Sequence, residues 1–166
     1  MPRPPGGDFV LRSADGPLDT RGLRGRVLLV YFGYVNCPDV CPVSIAAGAG
    51  ALNALSPAER ERTRMIMISV DPERDTPELL KAYMANFDPS FVALRTTPDK
   101  LNALAKDYKI YFKKVEGKTP TSYSMDHSAG SYVYDPAGRL RIYNRYGSGA
   151  QALAADVKVL LAEAGG

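Results

Sequence analysis

An α/β fold built on a largely parallel sheet is what this sequence predicts, and three observations carry the prediction. The apolar runs Val27–Phe32 and Met65–Val70 are near-continuous, as in strands covered on both faces. Each precedes a stretch with apolar residues at helical spacing: Ile45, Ala49 and Leu52 in one, Leu79, Leu80, Tyr83, Met84 and Phe87 in the other. A third strand and helix, Phe91–Thr96 followed by Leu101, Leu104, Ala105 and Tyr108, repeats that order, which implies right-handed parallel crossovers.

Taken in order, residues 1–8 are rich in Pro and Gly and read as a lead-in. Phe9–Leu11 and the turn at Ala14–Pro17 predict a short hairpin over one end of the sheet. Gly25-Arg26 opens the first long strand, and Ser44–Leu55 is an alanine-rich helix that Ser56-Pro57 closes or briefly continues. The second strand ends in Asp71-Pro-Glu-Arg-Asp-Thr-Pro77, where Thr76 suits a helix cap and Pro77 its first position. Thr97 and Pro98 repeat that start. Lys113–Ser124 is polar, contains Gly117 and Pro120, and predicts a loop leading to Asp126-His127. Ser131–Tyr134 and Leu140–Tyr146 flank Asp135-Pro-Ala-Gly138, the turn chemistry of an antiparallel hairpin. Leu153, Val157, Leu160 and Leu161 mark the inner side of a last helix.

Length and composition set bounds. A chain of 166 residues is one domain by size, here residues 9–166, and buries a core without staples. A net charge of +3, from 21 basic and 18 acidic residues, is too small to make nucleic acid or an anionic membrane surface the main partner; a monomer is expected. No run of 18 apolar residues spans a bilayer, and Met1–Gly6 lacks the hydrophobic segment of a signal peptide. A signal or anchor ahead of residue 1 stays open.

The chemistry centres on Tyr31-Phe-Gly-Tyr-Val-Asn-Cys-Pro-Asp-Val-Cys-Pro42, where the first strand meets the first helix. Cys37 and Cys41 are the only cysteines and His127 the only histidine. Free cysteines are often just small buried hydrophobes. A strand-to-helix turn is different, because amides at a helix start favour the thiolate that both metal binding and nucleophilic attack require. At helical i, i+4 spacing the two Cβ atoms stand about 5–6 Å apart, wide for a disulfide, which wants about 3.5–4.5 Å. That tilts the pair toward a metal without excluding oxidation. Two soft sulfurs and one imidazole suit Cu(I), and Cu(II) would add an oxygen donor. Zinc would want a fourth ligand that the chain does not offer.

Asp71 ends the second buried strand and should emerge at the sheet edge that carries Cys37. Its plain role is to cap the following turn; its functional one is to hydrogen-bond a ligand or tune thiol acidity. Asp39 and Asp126 are candidates of the same kind, and Met125 is a soft donor near His127 with packing as its plain role. Met65 and Met67 belong to the core, and Tyr108, Tyr111 and Tyr123 to packing. A cysteine pair at the top of the first long strand, within this element order, points to a thioredoxin-like fold with an N-terminal β-hairpin and an inserted loop before the C-terminal hairpin.

Together these segments resemble the Sco (SenC/PrrC) proteins, copper-binding assembly factors of cytochrome c oxidase. The resemblance rests on Tyr31-Phe-Gly-Tyr34, Cys37-Pro-Asp-Val-Cys-Pro42, Ile68-Ser-Val-Asp-Pro-Glu-Arg-Asp-Thr76 and Asp126-His127, and runs from about Phe9 to the last helix. It implies a metallochaperone that holds Cu(I) or Cu(II) through Cys37, Cys41 and His127, with Asp71 as the nearby acid. Its implied partner is oxidase subunit II, whose dinuclear copper centre it helps to build, with other periplasmic copper chaperones or thiol–disulfide proteins besides. It also implies a single N-terminal membrane anchor, absent from this chain, and a place on the periplasmic side of a bacterial inner membrane or in the mitochondrial intermembrane space. The Arg- and Ala-rich style of the helices favours the bacterial setting.

The rival is a thiol–disulfide reductase in which Cys37 attacks and Cys41 resolves, keeping the cysteines of subunit II reduced. Thioredoxin-type catalysts use two intervening residues and set a cis-proline opposite the thiols. This chain has three intervening residues and no proline between Pro120 and Pro136, where His127 stands. A peroxidase would need an activating arginine beside one reactive cysteine, and none is near in sequence.

Overall fold

The computed structural model describes residues 10–13, 16–35, 40–71, 74–108, 112–115, 124–127, 130–145 and 148–164. The predicted lead-in, residues 1–8, lies outside them.

Val10–Ser13 (β1) and Gly16–Asp19 (β2) form the antiparallel N-terminal hairpin, and a single 3-10 turn, capped by the Asp19 side chain, follows at Thr20–Leu23. Val27–Gly33 (β3) and Thr63–Ser69 (β4) lie side by side in parallel, Gly33 opposite Ser69. All seven residues of β3 are buried, as the unbroken apolar run requires of a central strand. Val92–Leu94 (β5) extends the sheet beyond β4, while Ser131–Tyr134 (β8) and Leu140–Asn144 (β9) extend it antiparallel on the other flank of β3. The order β5-β4-β3-β8-β9 is that of a thioredoxin-like sheet. Among the described residues no helix is long and apolar enough to cross a membrane.

The helices are Val40–Asn53 (α1), Pro57–Glu61 (α2), Pro77–Ala85 (α3), Pro98–Tyr108 (α4) and Gly149–Glu163 (α5). Ser56 and Glu59 close a reciprocal capping box on α2, and Thr76 accepts the Leu79 amide with Pro77 just inside α3. On α5 the expected stripe of Leu153, Val157, Leu160 and Leu161 is buried. Leu79 is the exception: it is 41% exposed, so α3 seats Leu80 and Met84 instead. A nine-residue helix held by its cap and two leucine-sized anchors has no need of a wider stripe.

Helix α1 has little amphipathic contrast because its small residues, not a leucine row, set its contact with the sheet. A Cβ on Gly48 would lie 2.2 Å from the Met65 sulfur, so only glycine lets α1 come this close to β4. Met65 and Met67 are fully buried, as expected of core residues.

One expectation fails. Lys113–Ser124 is not all loop: Phe112–Val115 (β6) and Ser124–His127 (β7) pair as an antiparallel two-stranded ribbon, with Phe112 opposite His127. Residues 116–123 lie outside the described part. Backbone pairing, not an apolar pattern, makes this ribbon, which is why composition read as a loop.

Candidate functional site

The parallel register puts the ends of β3 and β4 at one edge of the sheet, and the last rung is completed by the Val70 amide donating to the Gly33 carbonyl at 2.8 Å. Beyond it Tyr34 and Val35 lead toward Cys37, and Val70 leads to Asp71. On the opposite flank β8 enters with Ser131 facing Tyr31, so it comes in at the edge where β3 leaves. His127 ends β7 four positions before Ser131, and Cys37 follows Gly33 by four. Four extended residues reach at most about 14 Å. The end of β3, which leads toward Cys37, and the start of β8, reached from His127, therefore share one edge of the sheet.

Cys41 is the second residue of α1, within the first turn, where the unpaired amides of a helix start stabilise a thiolate. Cys37 lies outside the described residues, as do Asp39 and the side chains of Cys41, Met125, Asp126 and His127. The expectation that the two thiols stand at helical i, i+4 spacing turns on residues 37–39 and so lies outside the described part.

Asp71 is buried, and its carboxylate accepts from Arg74 Nε, while its amide donates to Ser69 Oγ at 3.1 Å. Arg74 also stands over the Tyr34 ring, 5.9 Å from its centre. The capping role holds through the backbone: the Asp71 carbonyl accepts from the amides of Arg74 and Asp75.

Sequence reasoning passed over Asp75. It is fully buried, and its Oδ2 accepts from Ser69 Oγ at 2.7 Å and from the Val35 amide at 3.3 Å. Burial pushes its carboxyl above the usual range; the Ser69 hydroxyl and Val35 amide oppose that, and the Asp71 charge adds to it. The available signal was a second acid four positions after Asp71, in a turn with two prolines.

Gly130, also passed over, is buried just before β8 and lies against Tyr143, whose ring is 5.2 Å from that of Tyr132. Burial, with Tyr143 beside it, raises the Tyr132 hydroxyl to about 12, so it stays neutral. Tyr132 meets Phe32 of β3 edge to face at 6.0 Å. An aromatic row thus ties the entry of the histidine segment to the strand that carries the thiols.

The SCO1/SenC family profile matches residues 2–162, nearly the whole chain. The chain belongs to the SCO1/SenC family. Mitochondrial protein SCO2 of Saccharomyces cerevisiae is 35% identical over 136 residues, 81% of this chain and 45% of that protein. A SCO2-like protein of Rickettsia prowazekii is 34% identical over 81% of this chain and 66% of its own length. This SCO1/SenC chain thus spans about half to two-thirds of the curated relatives it matches. Among solved structures, Bradyrhizobium japonicum ScoI with copper bound superposes with a TM-score of 0.84 at 36% identity, covering 93% of this chain and 98% of that one. BsSco, described as a member of the Sco family of cytochrome c oxidase assembly proteins with a disulfide switch, gives 0.72 at 26% identity over 98% of both chains.

Proposed function

We propose that residues 9–166 form one copper-carrying domain that takes up copper as cargo through Cys37, Cys41 and His127 and hands it to the dinuclear copper site of oxidase subunit II. The observation that supports it is the meeting of the β3 exit and the β8 entry at one sheet edge, each within four residues of its donor. Two thiolates and an imidazole fit Cu(I) as they stand, and Cu(II) with one added oxygen. Asp71 lies beside this edge, tied to Arg74, and acts on the ligands through hydrogen bonds rather than as a donor itself. Binding copper releases the thiol protons, so uptake strengthens as pH rises through the thiol range. The working form is a monomer attached by an N-terminal anchor on the periplasmic side of a bacterial inner membrane, where it meets subunit II and other copper or thiol proteins. Its counterpart in mitochondria would face the intermembrane space.

Titration of the reduced protein with Cu(I) and Cu(II), followed by mixing with an oxidase subunit II domain, tests this reading. One copper per chain moving to subunit II supports delivery; copper that stays put, or binding that survives Cys41→Ser, refutes it.

A second reading is favoured by the likeness to BsSco, described as having a disulfide switch. Here the Cys37 thiolate attacks a disulfide of the partner, forming a mixed disulfide and releasing one partner thiolate. The Cys41 thiolate then attacks Cys37 sulfur, releasing the second, so two electrons pass to the partner and Cys37–Cys41 leaves oxidised. His127 is dispensable on this path.

A further inference from the structure

Past the last sheet rung at Gly33, the chain toward Cys37 is held by the turn that follows β4. Arg74 stands over Tyr34, and the Val35 amide donates to Asp75 Oδ2, forty positions away in sequence, at 3.3 Å. That same oxygen takes the Ser69 hydroxyl at 2.7 Å, which anchors it to the end of β4. Asp75 is fully buried, yet its Oδ1 has no hydrogen-bond partner among the described residues. A carboxyl is a costly way to fill a buried site, and an orphan oxygen there calls for a reason beyond packing. Ser69 and Val35 need one acceptor that reaches both a strand end and a loop amide, and Asp75 is placed to be it.

We infer that Asp75 is a positioning residue for the thiol pair: it pins the Cys37-bearing segment to β4 through the Val35 amide and so keeps Cys37 within reach of Cys41. This deepens the functional reading above, since both copper capture and disulfide closure need the two sulfurs close together. Holding one thiol near the other raises its effective concentration, which favours the closed disulfide over the open dithiol. Loosening the pin shifts that balance toward the dithiol and lowers the affinity for a metal that needs both sulfurs.

The test compares Asp75→Ala with Asp75→Asn in the full chain. The asparagine carbonyl keeps an acceptor for both donors, whereas alanine removes it. Three quantities are read: exchange of the Val35 amide, the dithiol–disulfide equilibrium in glutathione buffers, and Cu(I) affinity by competition with a chelator. Asp75→Ala should speed Val35 exchange at least about tenfold and move the thiol equilibrium about tenfold toward the dithiol, roughly 30 mV for two electrons, with a parallel loss of Cu(I) affinity. Asp75→Asn should stay within about twofold of the parent, the rescue by a retained acceptor that loss of packing alone would not give. Should the alanine variant not fold, Asp75→Ser, too short to reach Val35, takes its place with the same expectation. An unchanged thiol equilibrium in Asp75→Ala, or a shift in Asp75→Asn as large as in Asp75→Ala, overturns the inference. The thiol arm uses no copper, so it stands or falls separately from the copper-carrier reading, which rests on His127.

Discussion

Tyr143 occupies the space that a side chain at Gly130 would need: a Cβ there would come within 2.2 Å of the ring and 2.3 Å of the hydroxyl oxygen. Gly130 stands three residues after His127, so this contact fixes where the histidine segment joins the sheet. Gly130→Ala must push the half-exposed Tyr143 ring aside, at a cost of about 1–3 kcal/mol. Urea unfolding of both single variants and of Gly130→Ala/Tyr143→Ala checks the contact. The cost of Gly130→Ala should largely vanish once Tyr143 is already alanine, a coupling that residues not in contact would not show.

Gly48 makes the matching prediction for the thiol side. Alanine is the better helix former by about 1 kcal/mol, yet Gly48→Ala should destabilise because its Cβ would meet the Met65 sulfur at 2.2 Å. The expected loss is about 1–3 kcal/mol, and pairing it with Met65→Ala should recover part of it. A stabilised Gly48→Ala protein would mean that α1 does not sit on β4 as described.

Two buried acids should give opposite pH signatures. Burial alone would raise the Asp135 carboxyl, but the Arg139 amide and the Arg141 and Arg139 guanidinium groups outweigh it and hold it below 3.8. Its contribution to stability is therefore complete above that ordinary value and is lost as pH falls through the lowered one. Asp75 is raised, so the native state holds its proton longer than the unfolded chain, and stability declines as pH rises from 3.8 to the raised value. Asp135→Asn should flatten the loss of stability in acid, and Asp75→Asn should remove the decline above it. Chemical denaturation between pH 2 and 8 reads both.

Much of this organisation was legible in the chain because local and global signals agree there. Val27–Phe32 could only be a central strand, and Thr76-Pro77 starts a helix by its own capping chemistry. The β6–β7 ribbon was not legible: Phe112-Lys-Lys-Val115 and Ser124-Met-Asp-His127 carry no shared apolar face, and their pairing is a backbone matter across a long connection. Asp75 and Gly130 escaped notice because each matters through a residue distant in sequence, Val35 for one and Tyr143 for the other.

Asp71 should act on copper without being a ligand. Asp71→Asn keeps an acceptor for Arg74 but removes the charge, and copper affinity should fall by about 10–100-fold with one-to-one binding retained. Isothermal titration under reducing conditions decides between that and a purely structural Asp71, for which affinity would track stability alone.

The copper(II) absorption spectrum and affinity of His127→Ala, beside those of the parent protein, bear most directly on the account. It predicts that the parent binds one copper with thiolate-to-copper charge-transfer bands, and that removing the imidazole weakens binding and shifts those bands while leaving Cys37 and Cys41 able to close their disulfide. Unchanged affinity and an unchanged spectrum in His127→Ala would contradict it.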